Sequence, residues 1–207
     1  MENFDRKKHW ENIYSTKELE NCSWFQPKPL TSLSLIEASG IPKTARIIDI
    51  GGGDSFLADS LLERGFSDIT VMDISEAALN RAKQRLGSNS DKIKWLMADA
   101  ANFSAPEKYE LWHDRAAFHF LTDMKDVQKY IASAEKSIIP GGTLIIGTFS
   151  ETGPQKCSGI DIKQYSAEDL KRTFHPGFTP IQCINIDHPT PFNTSQNFNF
   201  CSFRKVN

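Results

Sequence analysis

Arg46-Ile47-Ile48-Asp49-Ile50-Gly51-Gly52-Gly53-Asp54-Ser55 is a short isoleucine-rich run stopped by three glycines and an acid. An apolar run of this length reads as a strand buried on both faces, as in a parallel sheet, and the glycines read as the turn that ends it. A helix is expected next: Phe56, Leu57, Ser60, Leu61 and Arg64 fall at helical spacing, and Gly65 is placed to end it. At such a junction the backbone must turn tightly and stay open to a ligand, which a Cβ on Gly51 or Gly53 would obstruct. Asp49, just before the turn, offers a carboxylate to an ammonium group.

Outward from this unit the pattern repeats. A second strand, Ile69 to Met72, is closed by Asp73, and Ser75 starts a helix whose stripe is Ala78, Ala82 and Leu86, ended by Gly87. Ile93 to Met97 and Glu110 to His113 read as strands three and four, and Val127 to Ile138 as a helix. Thr143 to Phe149 reads as strand five, after Pro140-Gly141-Gly142. Ser166 and Asp169 form a capping-box pattern for one more helix. Thr179 to Ile186 and Asn197 to Arg204 are strand-like and read as a hairpin around a long loop, Asp187 to Gln196. Upstream, an aromatic-bearing stretch (Phe4, Trp10, Tyr14, Trp24, Phe25) passes through Pro27 and Pro29 into a helix over Leu30 to Ala38, with Gly40 and Pro42 as its stop signals. The fold predicted is α/β: a Rossmann-like, doubly wound, mostly parallel seven-stranded sheet with a C-terminal antiparallel β-hairpin.

The 207 residues suit one domain, given the usual range of about 100 to 200. Within it, residues 1–40 read as an N-terminal lid or helical segment, 45–150 as the binding core, and 151–207 as an acceptor-side helix and hairpin. The composition is 39% hydrophobic and 24% charged, and no apolar run approaches the ~20 residues of a membrane span. The first ten residues mix both charges without an apolar stretch, so a cytoplasmic location is expected. A net charge of -2 with scattered basic residues gives no pull on nucleic acid. Cys22, Cys157, Cys183 and Cys201 stand far apart, without zinc-ligand spacing; unpaired buried thiols and no metal are the expectation.

Three acids stand at the carboxyl ends of successive strands: Asp49, Asp73 and Asp99. In an open parallel sheet those ends share one crevice. There Asp73 can accept both hydroxyls of a ribose, and Asp99 can meet the exocyclic amine of an adenine. Together they favour an adenosine-bearing cation. A dinucleotide fingerprint G-x-G-x-x-G would need glycine where Phe56 stands, which weakens a nicotinamide reading.

With Asp49-Ile50-Gly51-Gly52-Gly53, Asp73, Asp99-Ala100 and Pro140-Gly141-Gly142, the chain resembles the class I S-adenosylmethionine-dependent methyltransferases, most strongly over residues 45 to 150; Ser55 replaces the third glycine of that family's loop. A narrower likeness lies in Trp10-Glu11-Asn12-Ile13-Tyr14, Ser23-Trp24-Phe25-Gln26, Trp112 to Thr122 and Cys157-Ser158-Gly159. These look like the subfamily of the citrate-synthase-lysine methyltransferase and its bacterial relatives. The resemblance implies S-adenosyl-L-methionine as cofactor and S-adenosyl-L-homocysteine as product. By it, Tyr14 and Trp24 would cover the methionine end, Asp49 and Gly51 would hold the amino acid part, Asp73 the ribose, and Asp99 and Ala100 the adenine, with Gly53 and Ile74 also against the cofactor.

Methyl transfer mainly requires an acceptor lone pair held opposite the sulfonium in a dry pocket. His113-Asp114-Arg115 ends the fourth strand, where the methyl group is expected, so these three are the catalytic candidates: His113 and Asp114 facing cofactor or acceptor, Arg115 orienting a carboxylate or anchoring the loop by a salt bridge. His119 reads as a packed residue rather than a base. Trp24 reads as a lid over the sulfonium and Trp10 as helix packing. His188, Pro189 and Pro191 would shape the acceptor pocket. The acceptor is a small molecule or a protein side chain at N, O or S, protein lysine being the specific alternative. A non-catalytic or nicotinamide-type nucleotide-binding protein is the alternative from another class. No nucleic acid, no membrane, and a monomer or weak dimer complete the expectation.

Overall fold

The computed structural model describes residues 4–206; residues 1–3 and 207, the ends of the expected single domain, lie outside them. The first helix, α1 (Arg6–Thr16), starts on Asp5, whose carboxylate accepts from the Lys8 amide at 2.9 Å. Then come α2 (Leu30–Ala38), β1 (Arg46–Ile50), α3 (Leu57–Glu63), β2 (Asp68–Asp73), α4 (Glu76–Leu86) and β3 (Ile93–Met97). These are followed by β4 (Tyr109–Arg115), α5 (Met124–Ser137), β5 (Ile138–Phe149), the short pair β6 (Lys156–Cys157) and β7 (Ile160–Asp161), α6 (Ala167–Phe174), β8 (Phe178–Pro189) and β9 (Ser195–Lys205).

Seven strands form one sheet in the order β3-β2-β1-β4-β5-β9-β8. The first five are parallel to one another, and β9 and β8 close one side antiparallel, as the sequence pattern predicts. Alternation along each strand divides the core. Ile48, Ile50, Trp112, Leu144 and Ile146 face α5 and α6 through Val127, Tyr130, Leu170 and Phe174. On the other face Ile47, Val71, Leu111 and Ile145 pack on α2, α3 and α4 through Leu33, Ile36, Leu61 and Leu79. Burying such side chains on both faces is worth roughly 1.5–3 kcal/mol each, which makes the sheet a stiff platform for whatever its carboxyl edge carries.

Three local features depart from the sequence reading. Strand β5 begins five residues earlier than expected, because Pro140-Gly141-Gly142 forms a bulge within the strand: Tyr109 pairs with Ile138, and the register resumes at Leu111 with Thr143. A Cβ on Gly142 would stand 2.6 Å from Ile138 Cγ2, so the bulge needs that glycine. The expected loop over Asp187 to Gln196 is instead largely strand. Asp187, His188 and Pro189 pair with Asn197, Gln196 and Ser195, leaving residues 190–194 as the connection. Finally, Cys183 and Cys201 lie opposite one another on β8 and β9 and are joined as a disulfide, so two of the four thiols expected to be unpaired are not. Cys22 and Cys157 remain as thiols. No helix among the described residues is long and apolar enough to cross a membrane.

Candidate active site

Strand order reverses at β1, whose neighbours are β2 and β4, and a crevice opens there at the carboxyl ends of the strands. Two adjoining cavities occupy it, sharing Trp10, Tyr14, Gly51, Ala116 and Phe120 in their walls. The one toward β2 and β3 is lined by Asp73, Ile74, Asp99 and Ala100. The one toward β4 and β5 is lined by Asp49, Asp54, His113, Arg115 and Trp24. Asp49 and His113 reach the same face because they continue the alternation of Ile47 and Leu111, one register step further along paired strands.

The glycine turn is built for the protein's own groups. Gly51 sits at φ +64° and a Cβ there would stand 2.5 Å from the Ala117 Cβ; Gly53, at φ +47°, leaves room for Tyr14 Oη and Asp73 Oδ2, at 2.9 and 3.1 Å from where its Cβ would be. Thus the two glycines let the loop after β4, the N-terminal helix and the second acid crowd against the turn. Gly51 also lines both cavities, whereas Gly53 acts through those neighbours.

Asp49 is buried and its Oδ1 lies 2.7 Å from His113 Nδ1; His113 Nε2 is 2.9 Å from Ser32 Oγ on α2. The imidazole therefore has both nitrogens engaged. With Nδ1 donating to the carboxylate and the serine hydroxyl donating to Nε2, it holds Asp49 in one rotamer. Asp73 accepts from the Ser75 amide at 2.8 Å through Oδ1, and its Oδ2 faces the turn. Burial pushes its pKa up to about 7, the negative charges of Asp54 and Asp49 adding to the effect while the Ser75 amide opposes it. Asp54 is also buried. Neither of its oxygens accepts a well-directed hydrogen bond among the described residues, and Arg81 Nε approaches Oδ2 at 3.2 Å. Its carboxyl is raised by burial, with Arg81 and Arg85 pulling the other way.

Helix α1 roofs this edge. The Glu11 carboxylate accepts from Ser75 Oγ at 2.8 Å and from the Ala77 amide at 3.1 Å, capping α4 from outside, and Arg81 donates to the Tyr14 and Lys17 carbonyls. Arg6 Nη2 is 3.3 Å from Asp99 Oδ2 and 2.8 Å from Asp126 Oδ2, while Asp99 Oδ1 accepts from the Ala101 amide. Under the roof, Trp10 packs edge-on to Phe120 at 4.9 Å and to Trp24 at 6.1 Å, and Tyr14 to Trp24 at 6.1 Å. The Tyr14 phenol is held neutral by burial and by the charges of Asp73 and Asp54.

Tyr14, Trp24, Asp49, Gly51, Asp73, Ile74, Asp99 and Ala100 thus converge on the crevice, as do His113 and Arg115. Asp114 does not. Parity points it to the opposite face, where its Oδ1 accepts from the Ala117 and Phe118 amides at 2.9 and 3.1 Å and its Oδ2 from the Tyr130 hydroxyl at 2.7 Å. It fixes the loop that carries Ala116, itself at φ +68° and part of both cavity walls. Burial raises its pKa to about 6, against those three donors. Arg115 makes no ion pair among the described residues, so the expected salt-bridge anchor is replaced by a hydrogen bond from Nη2 to the Trp24 carbonyl at 3.0 Å. His119 is fully buried, accepts from the Phe149 amide, and is pushed down to about 3 by burial and by Arg115. Trp10, expected to be helix packing, lines both cavities. His188 lies in β8 and not in a loop; its ring nitrogens meet Gln26 Nε2 at 3.0 Å and the Ser23 carbonyl at 2.9 Å, tying the hairpin to the segment before α2.

Sequence reasoning missed Asp54, Ser32 and Glu11. Asp54 had a local signal, an acid directly after the glycines. Ser32 and Glu11 had none, since their roles depend on partners 81 and 64 residues away.

The model of the methyltransferase domain family matches residues 47–142. The chain is 26% identical over 147 residues to malonyl-[acyl-carrier protein] O-methyltransferase 1 of Ilyobacter polytropus, covering 70% of this chain and 53% of that one. It is 27% identical over 201 residues to EEF1A lysine methyltransferase 2 of Danio rerio, covering 89% and 78%. The chain thus spans about half the length of the first relative and about four-fifths of the second. The crystal structure of the N-methyltransferase NodS from Bradyrhizobium japonicum with S-adenosyl-L-homocysteine superposes with a TM-score of 0.73 at 19% identity, over 98% of this chain and all of that one. Sheet order, glycine turn and family match agree: residues 47–142 match the methyltransferase domain family, and the chain is similar to S-adenosylmethionine-dependent methyltransferases.

Proposed function

We propose that this chain transfers a methyl group from S-adenosylmethionine to a small acceptor enclosed beneath its aromatic roof. The observation that carries the reading is the pair of buried acids, Asp49 and Asp73, set on either side of the Gly51 turn in one continuous crevice. The residues present fit the cofactor. Asp73 keeps Oδ2 for ribose hydroxyls, Ile74 and Ala100 offer apolar walls to an adenine, and Asp49 and Asp54 offer carboxylate oxygens to the amino acid's ammonium. Asp99 contributes wall, with its oxygens already engaged by Arg6 and Ala101.

When bound, the cofactor supplies an electrophilic methyl on a cationic sulfur. The chain's part is positional. His113, locked between Asp49 and Ser32, orients the carboxylate; Tyr14, Trp10 and Trp24 present π-faces to positive charge and exclude water; Asp114 holds the Ala116 loop as the far wall. An acceptor closed in by Trp24, Phe120 and the hairpin supports a small molecule over a lysine on a folded protein surface.

Calorimetric titration with S-adenosylhomocysteine and, separately, NAD tests the cofactor. Binding of the first and not the second is expected. Binding of NAD alone would overturn the reading. Tritiated S-adenosylmethionine incubated with the protein and a cell lysate tests the acceptor, label in the small-molecule fraction being expected and label confined to protein counting against it.

A further inference from the structure

The half of the crevice toward β5 and β9 carries an electrostatic feature to which the cofactor reading above assigns no group. Arg115 projects into it, and its guanidinium has no carboxylate within ion-pair distance among the described residues. One nitrogen donates to the Trp24 carbonyl. The rest of its five-donor fork is directed to no charged partner, although burial lowers its pKa to about 10, with Asp49 and Cys157 opposing the shift. A half-buried cation of this kind is costly unless something negative meets it.

Its position says what that is. Arg115 pairs in register with Gly147 on β5, and its Cζ lies 5.8 Å from the Phe198 ring on β9. That displaces it from β2 and β3, whose ends carry Asp73 and Asp99, toward the acceptor side. Phe120, Phe149, Phe198 and Trp24 wall the same space with flat apolar surface. With Asp49 and Asp54 given to the cofactor's ammonium, no free base is left beside it. His113 has both nitrogens engaged, His119 accepts from a backbone amide, and Asp114 is turned to the other face.

We propose, resting on the methyltransferase reading, that the acceptor is a small anionic nucleophile, a thiolate or phenolate on a flat apolar body, whose negative charge is held by Arg115. An acceptor lone pair forms the new bond to the methyl carbon while the carbon–sulfonium bond breaks and its electron pair passes to sulfur. The sulfonium becomes a neutral thioether, the anion becomes a neutral methyl ether or thioether, and no proton has to be placed. That balance matches a site without an unoccupied base. A lysine acceptor would arrive as an ammonium, be repelled by Arg115, and need a proton carrier.

The test uses 4-nitrothiophenolate as probe anion, thioanisole as its neutral counterpart and 4-nitrobenzylamine as the amine. Binding is read by quenching of tryptophan fluorescence with and without S-adenosylhomocysteine, in wild type, Arg115→Lys and Arg115→Gln. The anion is expected to bind wild type more tightly than thioanisole. Arg115→Gln should weaken it about tenfold, the loss of a charge-assisted hydrogen bond to a half-buried group. Arg115→Lys should fall between, and S-adenosylhomocysteine affinity by calorimetry should stay within about twofold in both. With S-adenosylmethionine present, 4-nitrothiophenolate should be methylated faster than the amine. Equal binding of anion and neutral compound, or faster methylation of the amine, would overturn the proposal. An equal loss of S-adenosylhomocysteine affinity in Arg115→Gln would overturn it too, by assigning Arg115 to the cofactor's own carboxylate. Failure of wild type to bind S-adenosylhomocysteine would instead sink the cofactor reading, and the anion titration without it would still report on Arg115.

Discussion

At the scale of single residues, the site trades stability for binding at Asp73. A carboxyl with a folded pKa of about 7 and an unfolded value near 3.9 disfavours folding when ionised; the penalty is full above pH 7, shrinks as pH falls, and is gone below the unfolded value. Asp73→Asn keeps an oxygen for the Ser75 amide and removes the charge. It should raise the melting temperature of the cofactor-free protein at pH 8, with a smaller gain at pH 5, while S-adenosylhomocysteine affinity falls more than about tenfold because the ribose loses a charged acceptor. A melting temperature unchanged or lowered at pH 8 would show that the carboxylate is solvated. Asp114 is the opposite case. Asp114→Asn would turn an NH2 toward the Tyr130 hydroxyl, which already receives the Trp112 indole N–H at 2.9 Å, so one donor hydrogen there loses its acceptor. Urea denaturation should report a loss of about 1–3 kcal/mol. An undiminished stability with lost turnover would make Asp114 a participant in the chemistry after all.

Between residues and the whole stand the elements, where the limits of the sequence show most clearly. Strands β1 and β3 and helix α2 fall on the residues that hydropathy and punctuation predict, since buried parallel strands and proline- or glycine-bounded helices are encoded locally. Helix α1 was not delimited. Its eleven residues are mostly polar and bury only Ile13 fully, so no apolar stripe marks it. The hairpin's extra length and the Cys183–Cys201 link depend on cross-strand register, which a single strand's pattern leaves open. The acids at the strand ends were legible because topology alone brings them to one edge; the Asp49–His113–Ser32 chain was not, since three elements must first pack. Helix α1 supplies the element-scale prediction. Glu11 hooks it to the amino end of α4 through two hydrogen bonds, one to a serine that also caps that helix. Removing a charged partner from that end should cost about 1–2 kcal/mol. If α1 is the roof over bound cofactor, Glu11→Ala should speed S-adenosylhomocysteine release about tenfold, read by stopped-flow tryptophan fluorescence. An unaltered release rate would show that the cofactor leaves by a path that α1 does not cover.

Across the whole molecule, the buried titrating groups pull against one another. Asp73 and Asp114, raised to about 7 and about 6, make the folded state bind more protons than the unfolded chain and so favour it as pH falls. His119, lowered to about 3, and His188, also lowered by burial, do the reverse: their neutral forms are matched to the fold, and stability is lost as pH drops below about 6.5, the unfolded histidine value, toward their folded values. Asp54, raised by burial, joins the first set and His9, lowered by burial, the second, so groups of opposite sign give slopes that largely cancel. The cofactor-free protein should therefore change little in stability from pH 7 to pH 5, whereas Asp73→Asn, with one of the compensating carboxyls gone, should weaken steadily over the same range. Ligand binding breaks the balance in the other direction. Ribose hydroxyls donating to Asp73 favour its ionised form, so S-adenosylhomocysteine affinity should be greatest above pH 7 and fall below it, by at most about tenfold per pH unit. Near pH 6.5 binding should release most of one proton, measurable by calorimetry in buffers of different ionisation enthalpy. A pH-independent affinity with no proton released would mean that the ribose does not sit on Asp73, and would move the nucleoside out of the cavity between β2 and β3.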